Sequence, residues 1–307
     1  MGQAELAGAN RVILILGMHR SGTSLCVRSI NFLGAALSAD LIMTRPDNPR
    51  GYYEDRRMVE INSKIIRLLF AQVHEEGYPL VVQMRPWPLQ PRWMQRPEVL
   101  AFRAEMLPYV RRHIEDSAIP WCIKDPRLCR LYPFWADIFQ ELGVRVDCVV
   151  SIRHPGHVAA SLADRDGILP DQAELQWLIH TLDAVFYARE IAAVIDYGDW
   201  FSEPSETIRR LVACLGLNPS GKQISRAVAN IDGESNHAGD GVAIRHPFAR
   251  EAYELLRAAR HGPLDRARLL AMRDALYEAF SLLAGCYDEL AFAANQQRKI
   301  KGHYRVR

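Results

Sequence analysis

The stretch from Val12 to Ser24 constrains the fold of this chain most. Five apolar residues end at Gly17, four residues intervene, and Gly22 opens a segment with helical apolar spacing. This is the frame of the phosphate-binding loop G-x-x-x-x-G-K-[ST] between a strand and a helix, with Thr23 in the lysine position. Backbone N–H groups at such a loop bind anions. The sequence therefore predicts an anion site that lacks the lysine for the outer phosphates of ATP.

Apolar runs typical of strands alternate with stretches of helical spacing along the chain. The predicted strands are Val12–Leu16, Trp121–Lys124, Val146–Ile152 and Val194–Tyr197. Helical spacing is found at 25–33, 58–69, 99–110, 175–185 and 208–215. The alternation predicts an α/β fold, with a central parallel sheet flanked by helices. Ligands of such sheets bind at the carboxyl ends of the strands, where we expect the chemistry to lie.

No internal repeat and no long linker divides the 307 residues. We therefore expect a single domain over 1–307, with a helical C-terminal third at about 246–297 that is broken near Gly262. Residues 75–98, rich in proline and tryptophan, are predicted to form a long loop. The basic tail 298–307 is predicted to be solvated.

Composition excludes several classes of protein. A hydrophobic content of 49% with 24% charged residues is typical of a globular chain. The net charge of +2 argues against a general nucleic-acid binder, and no apolar run is long enough for a membrane span. The first ten residues lack the pattern of a secretion signal. The six cysteines form no C-x-x-C pair, so we expect free thiols in a reducing compartment and a cytoplasmic location.

A second motif joins Arg153, at the end of the third predicted strand, to Ser161 in the helix that follows. Magnesium-dependent NTPases place a metal-binding aspartate after such a strand, whereas this chain places a cation there. We expect Arg153 to contact a phosphate directly and Ser161 to add a hydroxyl donor. The sequence therefore predicts phosphate binding without a metal.

Together these motifs resemble those of the sulfotransferases that use 3′-phosphoadenosine 5′-phosphosulfate (PAPS). The loop Gly17–Ser24 is similar to the family's 5′-phosphosulfate loop, with Arg20 at the usual lysine position. Arg153 and Ser161 match its 3′-phosphate motif. The resemblance covers 11–217 discontinuously and implies a P-loop NTPase-like sulfotransferase fold.

Two further segments support the resemblance. Asp196–Trp200 resembles a family segment whose tyrosine lies near the adenine, which points to Tyr197. The segment Lys124-Asp-Pro-Arg127 is similar to a motif of bacterial members.

The resemblance implies a sulfuryl transfer from PAPS to an acceptor hydroxyl or amine, with adenosine 3′,5′-bisphosphate as the other product. Cations and backbone N–H groups can stabilise this transfer without a metal, because a sulfuryl group carries less negative charge than a phosphoryl group. Arg20 and Lys124 would neutralise the bridging and sulfuryl oxygens. The implied donor-binding residues are Arg20, Ser21, Gly22, Thr23, Ser24, Arg153, Ser161 and Tyr197.

The catalytic base departs from the family pattern, because Pro126 stands where the cytosolic branch carries a histidine. Other branches use a carboxylate after the first helix, here Glu54, which would take the acceptor proton. Glu54 can also be read as a first-turn glutamate favoured by the helix dipole. Asp125 is the second candidate base, although it could instead pair with Arg127 or Lys124.

Two other functions are weighed against this interpretation. A P-loop kinase-like phosphotransferase would carry lysine at position 23 and an acidic residue at 153, and the sequence has Thr23 and Arg153. A non-catalytic nucleotide-binding module would share the fold and lack the acceptor chemistry. The acceptor itself is open between a small molecule, a glycan and a lipid, and the oligomeric state is likewise open.

Overall fold

The computed structural model describes residues 10–44, 51–70, 88–90, 92–231 and 242–283. Its strands are β1 (Arg11–Leu16), β2 (Trp121–Lys124), β3 (Arg145–Ile152) and β4 (Ile191–Asp196). Its helices are α1 (Thr23–Phe32), α2 (Arg56–Leu69), α3 (Pro97–Glu115), α4 (Leu128–Glu141), α5 (Pro155–Asp166), α6 (Pro170–Tyr187), α7 (Asp199–Ser202), α8 (Pro204–Leu215), α9 (Gly221–Ala229), α10 (Pro247–Ala258) and α11 (266–283).

The four strands form one parallel sheet in the order β2-β1-β3-β4, which confirms the predicted fold class. From β1 the chain proceeds to the edge strand β2, and from β3 it proceeds to the opposite edge strand β4. The switch point therefore lies between the neighbours β1 and β3, where open α/β sheets bind ligands. The β1–α1 loop and Arg153 meet at this point.

Alternate residues of β1 face two separate cores, because side chains along a strand point to opposite faces. Val12, Leu14 and Leu16 pack with helices α2 to α6, α10 and α11. Ile13 and Ile15 pack with α1, α7, α8 and α9. The sheet is thus covered on both faces, and every residue of β1 is buried.

The predicted C-terminal helical region is found as α10 and α11, separated at 259–265 around the predicted break. Both helices contribute to the larger core through Leu256 and Leu269. Residues 284–297 and the basic tail lie outside the described residues. The single domain over 1–307 stays a prediction.

Two predicted boundaries differ from the structure by two or more residues. The proline-rich loop ends earlier than predicted, because α3 begins at Pro97, and proline suits the first helical position. Residues 75–87 and 91 of that loop lie outside the described residues. Strand β4 begins at Ile191 rather than Val194, since Ile191 and Ala193 already pair with β3.

The described cysteines and helices bear on two other expectations. Cys26, Cys122, Cys129 and Cys148 are buried free thiols and Cys214 is an exposed one, while Cys286 lies outside the described residues. In the part of the chain that the structure describes, every helix is too short or too polar to cross a membrane.

Candidate active site

The loop between β1 and α1 is a tight turn that depends on both of its glycines. A Cβ on Gly17 would lie 2.4 Å from the carbonyl oxygen of Ser151 in β3. Arg20 and Gly22 adopt left-handed conformations, with φ of 68° and 79°. A Cβ on Gly22 would also lie 2.5 Å from the ring of Tyr197. Because no side chain caps the start of α1, its first N–H groups face the loop in an arrangement that binds anions.

Hydroxyl groups line the same turn. The side chain of Ser21 is fully buried, and its Oγ has no hydrogen-bond partner among the described residues. Thr23 is buried at the first position of α1, and Ser24 Oγ donates to the Tyr52 carbonyl at 3.4 Å. A buried hydroxyl without a partner is destabilising, so Ser21 has a donor that a ligand oxygen could satisfy.

Arg20, Arg153, Ser161 and Tyr197 meet beside this loop, and we call these four residues the arginine cluster. Arg20 Nε donates to Ser161 Oγ at 2.7 Å, and Arg153 Nη1 donates to the carbonyl of Arg20 at 3.3 Å. The guanidinium carbon of Arg153 lies 4.5 Å from the ring centroid of Tyr197. Side chains from three separate sequence motifs thus form one contact group at the ends of β3 and β4.

Within this cluster, Arg153 is a buried cation without a carboxylate partner among the described residues. The side chain is 7% exposed, and its Nε is buried with no hydrogen-bond partner there. Burial lowers the pKa of Arg153, Tyr197 raises it, and the nearby charge of Arg20 lowers it. Arginine nevertheless stays charged at neutral pH. An anionic ligand would supply the charge that this site lacks.

Glu54, Lys124, Asp125 and Arg127 meet at the carboxyl end of β2, and we call these residues the β2 ion cluster. Lys124 Nζ donates to Glu54 Oε1 at 2.7 Å. Arg127 Nη1 donates to Asp125 Oδ1 at 2.7 Å and lies 3.8 Å from Glu54 Oε2. All four side chains are buried, and their formal charges cancel. Ion pairs as buried as these persist only when each charge is well hydrogen-bonded.

Glu54 lies before helix α2 rather than in its first turn. Asp55 is the N-cap residue and accepts a hydrogen bond from the backbone N–H of Met58 at 2.8 Å. The Glu54 carboxylate is directed to Lys124 instead. The helix-dipole interpretation of Glu54 therefore does not describe its position.

Asp125 is held on both carboxylate oxygens. Oδ1 accepts from the backbone N–H of Arg127 at 2.9 Å as well as from its guanidinium, and Oδ2 accepts from Asn62 Nδ2 at 2.8 Å. Asn62 Oδ1 in turn accepts from the indole N–H of Trp135 at 2.8 Å. Sequence reasoning missed Asn62 and Trp135, because they lie in α2 and α4 and no local motif connects them to Asp125. Arg127 was expected as a possible partner of Asp125, and the structure shows this pairing.

His19, inside the β1–α1 loop, lies in a cationic surrounding. Burial lowers its pKa well below the ordinary value, and the charges of Arg127, Arg165 and Lys124 lower it further. The imidazole is therefore neutral at neutral pH. Across the described residues, no three His, Cys, Asp or Glu side chains are grouped to hold a metal ion.

No family model and no curated protein matches the sequence. Among solved structures, the chain is similar to the sulfotransferase domain of the Synechococcus PCC 7002 olefin synthase, with a TM-score of 0.44 and 17% identity over 89% of this chain and 95% of that one. It is also similar to the sulfotransferase STF9 of Mycobacterium avium, with a TM-score of 0.43 and 14% identity over 84% and 77% of the two chains. For the sulfotransferase STF1 of Mycobacterium tuberculosis H37Rv, the TM-score is 0.39 and the identity 12% over 75% and 74%. These likenesses are distant, with identities of 17% or less.

Proposed function

We propose that this chain transfers a sulfuryl group from PAPS to an acceptor hydroxyl or amine. The observation that carries the proposal is the arginine cluster, in which Arg20, Arg153 and Ser161 meet beside an anion-binding loop. Because Arg153 has no carboxylate partner in the described residues and Ser21 has an unsatisfied buried hydroxyl, the site suits a ligand with more than one anionic group. PAPS carries such groups at its 3′ and 5′ positions.

The residues divide between the two ends of the donor. The loop N–H groups, Ser21, Gly22, Thr23 and Ser24 would hold the 5′-phosphosulfate. Arg153 and Ser161 would hold the 3′-phosphate, and Tyr197, whose ring contacts Arg153 and Gly22, would support the nucleotide side of the site. Arg20 lies between the two groups, since it bonds to Ser161 from within the loop.

The chemistry would take place at the β2 ion cluster. The acceptor atom attacks sulfur, the bond from sulfur to the bridging oxygen breaks, and its electron pair leaves with adenosine 3′,5′-bisphosphate. Glu54 takes the acceptor proton. Lys124 has three N–H donors, so its bond to Glu54 leaves donors for the sulfuryl and bridging oxygens. Fixed cations of this kind stabilise the charge that develops in the transition state.

Two calorimetric titrations test the donor. Adenosine 3′,5′-bisphosphate should bind in the presence of EDTA and at least tenfold more tightly than ADP, because a single charge-assisted contact to the 3′-phosphate contributes about 1.5–3 kcal/mol. Equal affinities, or binding only with Mg²⁺, would favour the P-loop kinase-like phosphotransferase instead.

Labelled PAPS tests the reaction. Incubation with a panel of phenols, alcohols, amines, sugars and lipids should move the label to at least one acceptor. Tight binding of adenosine 3′,5′-bisphosphate without transfer to any acceptor or to water would identify a non-catalytic nucleotide-binding module. We propose that the acceptor is a small molecule, a glycan or a lipid, and that the protein has no nucleic acid as partner.

The state of the cysteine thiols supports a proposal about the cellular compartment of the protein. Four thiols are buried without forming disulfides in the described part of the chain. Free buried thiols are typical of reducing compartments, so we propose that the protein acts in the cytoplasm.

A further inference from the structure

A chain of hydrogen bonds runs from the core of the protein to Arg127, which lies within ion-pair distance of Glu54. The indole N–H of Trp135 donates to Asn62, and Asn62 donates to Asp125, each at 2.8 Å. Asp125 accepts from Arg127, whose guanidinium lies 3.8 Å from the Glu54 carboxylate. The members come from α4, α2 and the segment after β2, so the chain connects three elements to one carboxylate.

The direction of these bonds fixes what Asp125 can do. Because Trp135 has only a donor, it fixes the oxygen of the Asn62 amide on its own side and directs the Asn62 NH₂ group at Asp125. Both Asp125 oxygens are then acceptors, and Oδ1 already receives two N–H groups from Arg127. With 1% of its surface exposed, Asp125 is enclosed by donors. Both oxygens are therefore directed at Arg127 and Asn62, and the side chain is placed to hold Arg127.

Arg127 is suited to be held in this way. Its backbone N–H and its guanidinium both bond to the same Asp125 oxygen, which fixes the side chain relative to its own backbone. The guanidinium is planar and presents donors in fixed directions, so orienting one edge orients the others. The buried Nε of Arg127 has no hydrogen-bond partner among the described residues. Among these residues, the hydrogen bond of the guanidinium is therefore the one to Asp125.

We infer that Asp125 is a positioning residue that holds Arg127 against Glu54, and that Asn62 and Trp135 fix Asp125 for this purpose. The inference rests on the proposed sulfuryl transfer. Under this inference Asp125 is not a second candidate base. It acts only through Arg127. The inference also assigns a role in turnover to two residues far from the motifs.

A double-mutant cycle tests the inference on the full chain. Asp125→Asn and Arg127→Gln should each lower kcat, with labelled PAPS as donor, on the order of tenfold to a hundredfold, which is the effect of losing a charge-assisted bond. The double variant should lose no more than the stronger single variant, because the two residues act as one unit. The affinity for adenosine 3′,5′-bisphosphate should stay within about twofold, since neither residue belongs to the arginine cluster.

A second pair of variants covers the case in which the charged variants fail to fold. Trp135→Phe keeps an aromatic ring and removes one N–H donor, so kcat should fall by about twofold to tenfold. Trp177→Phe is the matched control, because Trp177 is equally buried but its indole N–H has no partner in the described residues. Its kcat should stay at the wild-type value.

The outcomes separate the inference from the proposed function. Wild-type protein that transfers no label to any acceptor or to water refutes the proposed function. Wild-type transfer combined with multiplicative losses in the double variant shows that Asp125 acts independently of Arg127, as a base would, and overturns the inference. Equal kcat for Trp135→Phe and Trp177→Phe, with only the melting temperature lowered, would mean that the chain of bonds is purely structural.

Discussion

The arginine cluster and the β2 ion cluster lie at the same edge of one sheet but differ in the partners of their cations. Arg153 in the first contacts a carbonyl oxygen and an aromatic ring, and has no carboxylate within its described surroundings. Lys124 and Arg127 in the second are paired with Glu54 and Asp125. Arg153 therefore lacks a counter-charge, whereas the formal charges of the β2 ion cluster cancel.

This difference separates binding from chemistry. A buried cation without a counter-ion gains most from a bound anion, so the arginine cluster is suited to hold the phosphates of a donor. Cations paired with carboxylates are held in defined positions, so the β2 ion cluster is suited to orient reacting groups. Substitutions in the two clusters should accordingly change different measured quantities.

The largest effect is expected for Glu54→Gln in the β2 ion cluster. The amide keeps the size of the side chain but cannot accept the acceptor proton, so kcat should fall by about 10²–10⁴. Donor affinity, measured by calorimetry with adenosine 3′,5′-bisphosphate, should barely change. Glu60→Gln is the control, because Glu60 is exposed on helix α2. A variant Glu54→Gln with normal turnover would remove Glu54 as the base.

The arginine cluster should show the reverse pattern in Arg153→Ala. Losing a charge-assisted contact to the 3′-phosphate should weaken donor binding on the order of tenfold to a hundredfold. Arg145→Ala is the control, since Arg145 is exposed at the opposite end of the same strand. Unchanged affinity in Arg153→Ala would show that Arg153 is structural. The assignment of donor binding to the arginine cluster would then be wrong.

A pH effect on stability should be visible at His180, which lies in α6 near the cations of the β2 ion cluster. Burial lowers the pKa of His180 to about 4, and the charges of Arg130 and Arg127 contribute to the lowering. Its unfolded-state value is about 6.5, so below that pH only the unfolded chain takes up the proton. The free energy of unfolding should fall between pH 7 and pH 5, by about 2 kcal/mol from this residue.

Urea unfolding of wild type and His180→Asn at the two pH values measures that contribution. The asparagine amide can replace the bond from the imidazole to the Gln176 carbonyl. The variant should therefore lose less stability on acidification than wild type. Above pH 7, the free energies of unfolding of the two proteins should change with pH in the same way. Identical acid slopes would mean that His180 takes up a proton in the folded state.

A combined loss of stability and donor affinity is expected for Gly22→Ala beside the arginine cluster. A methyl group would meet the Tyr197 ring at 2.5 Å in a left-handed conformation, which costs about 1–2 kcal/mol in backbone strain alone. Donor affinity should fall with stability, because Tyr197 supports Arg153. Gly167→Ala is the matched control, since Gly167 is also left-handed but has open space around it. It should lose stability alone, as measured by thermal melting and calorimetry.

The sequence by itself predicted the elements that carry strong local signals. The alternation of apolar runs with helical spacing predicted the parallel sheet, and the glycine frame after β1 predicted the loop at its carboxyl edge. Helices α4, α7 and α9 have no counterpart among the predicted helical stretches. Helix α4 does carry an apolar stripe, Leu128, Leu131, Trp135 and Ile138, which was overlooked because Pro133 interrupts it. Helix α9 is short, with a capping box at Ser220 as its main signal.

The site divides in the same way. Local sequence motifs predict Arg20, Lys124, Arg153 and Ser161 as site residues, since each ends a strand, follows one or lies in the helix after one. Their contacts come from tertiary structure. The order of the strands makes β1 and β3 neighbours and so brings Arg20 to Ser161.

Only the tertiary structure decided how the carboxylates are used. Glu54 and Asp125 have similar signals in the sequence, but one bonds to Lys124 and the other is enclosed by Asn62 and Arg127. The Trp135–Asn62 bond joins two helices across 73 positions of sequence, and no periodicity encodes it. Local sequence patterns indicate which backbone conformations are favourable and which face of a helix or strand is buried. Which donor meets which acceptor depends on the packing of distant elements.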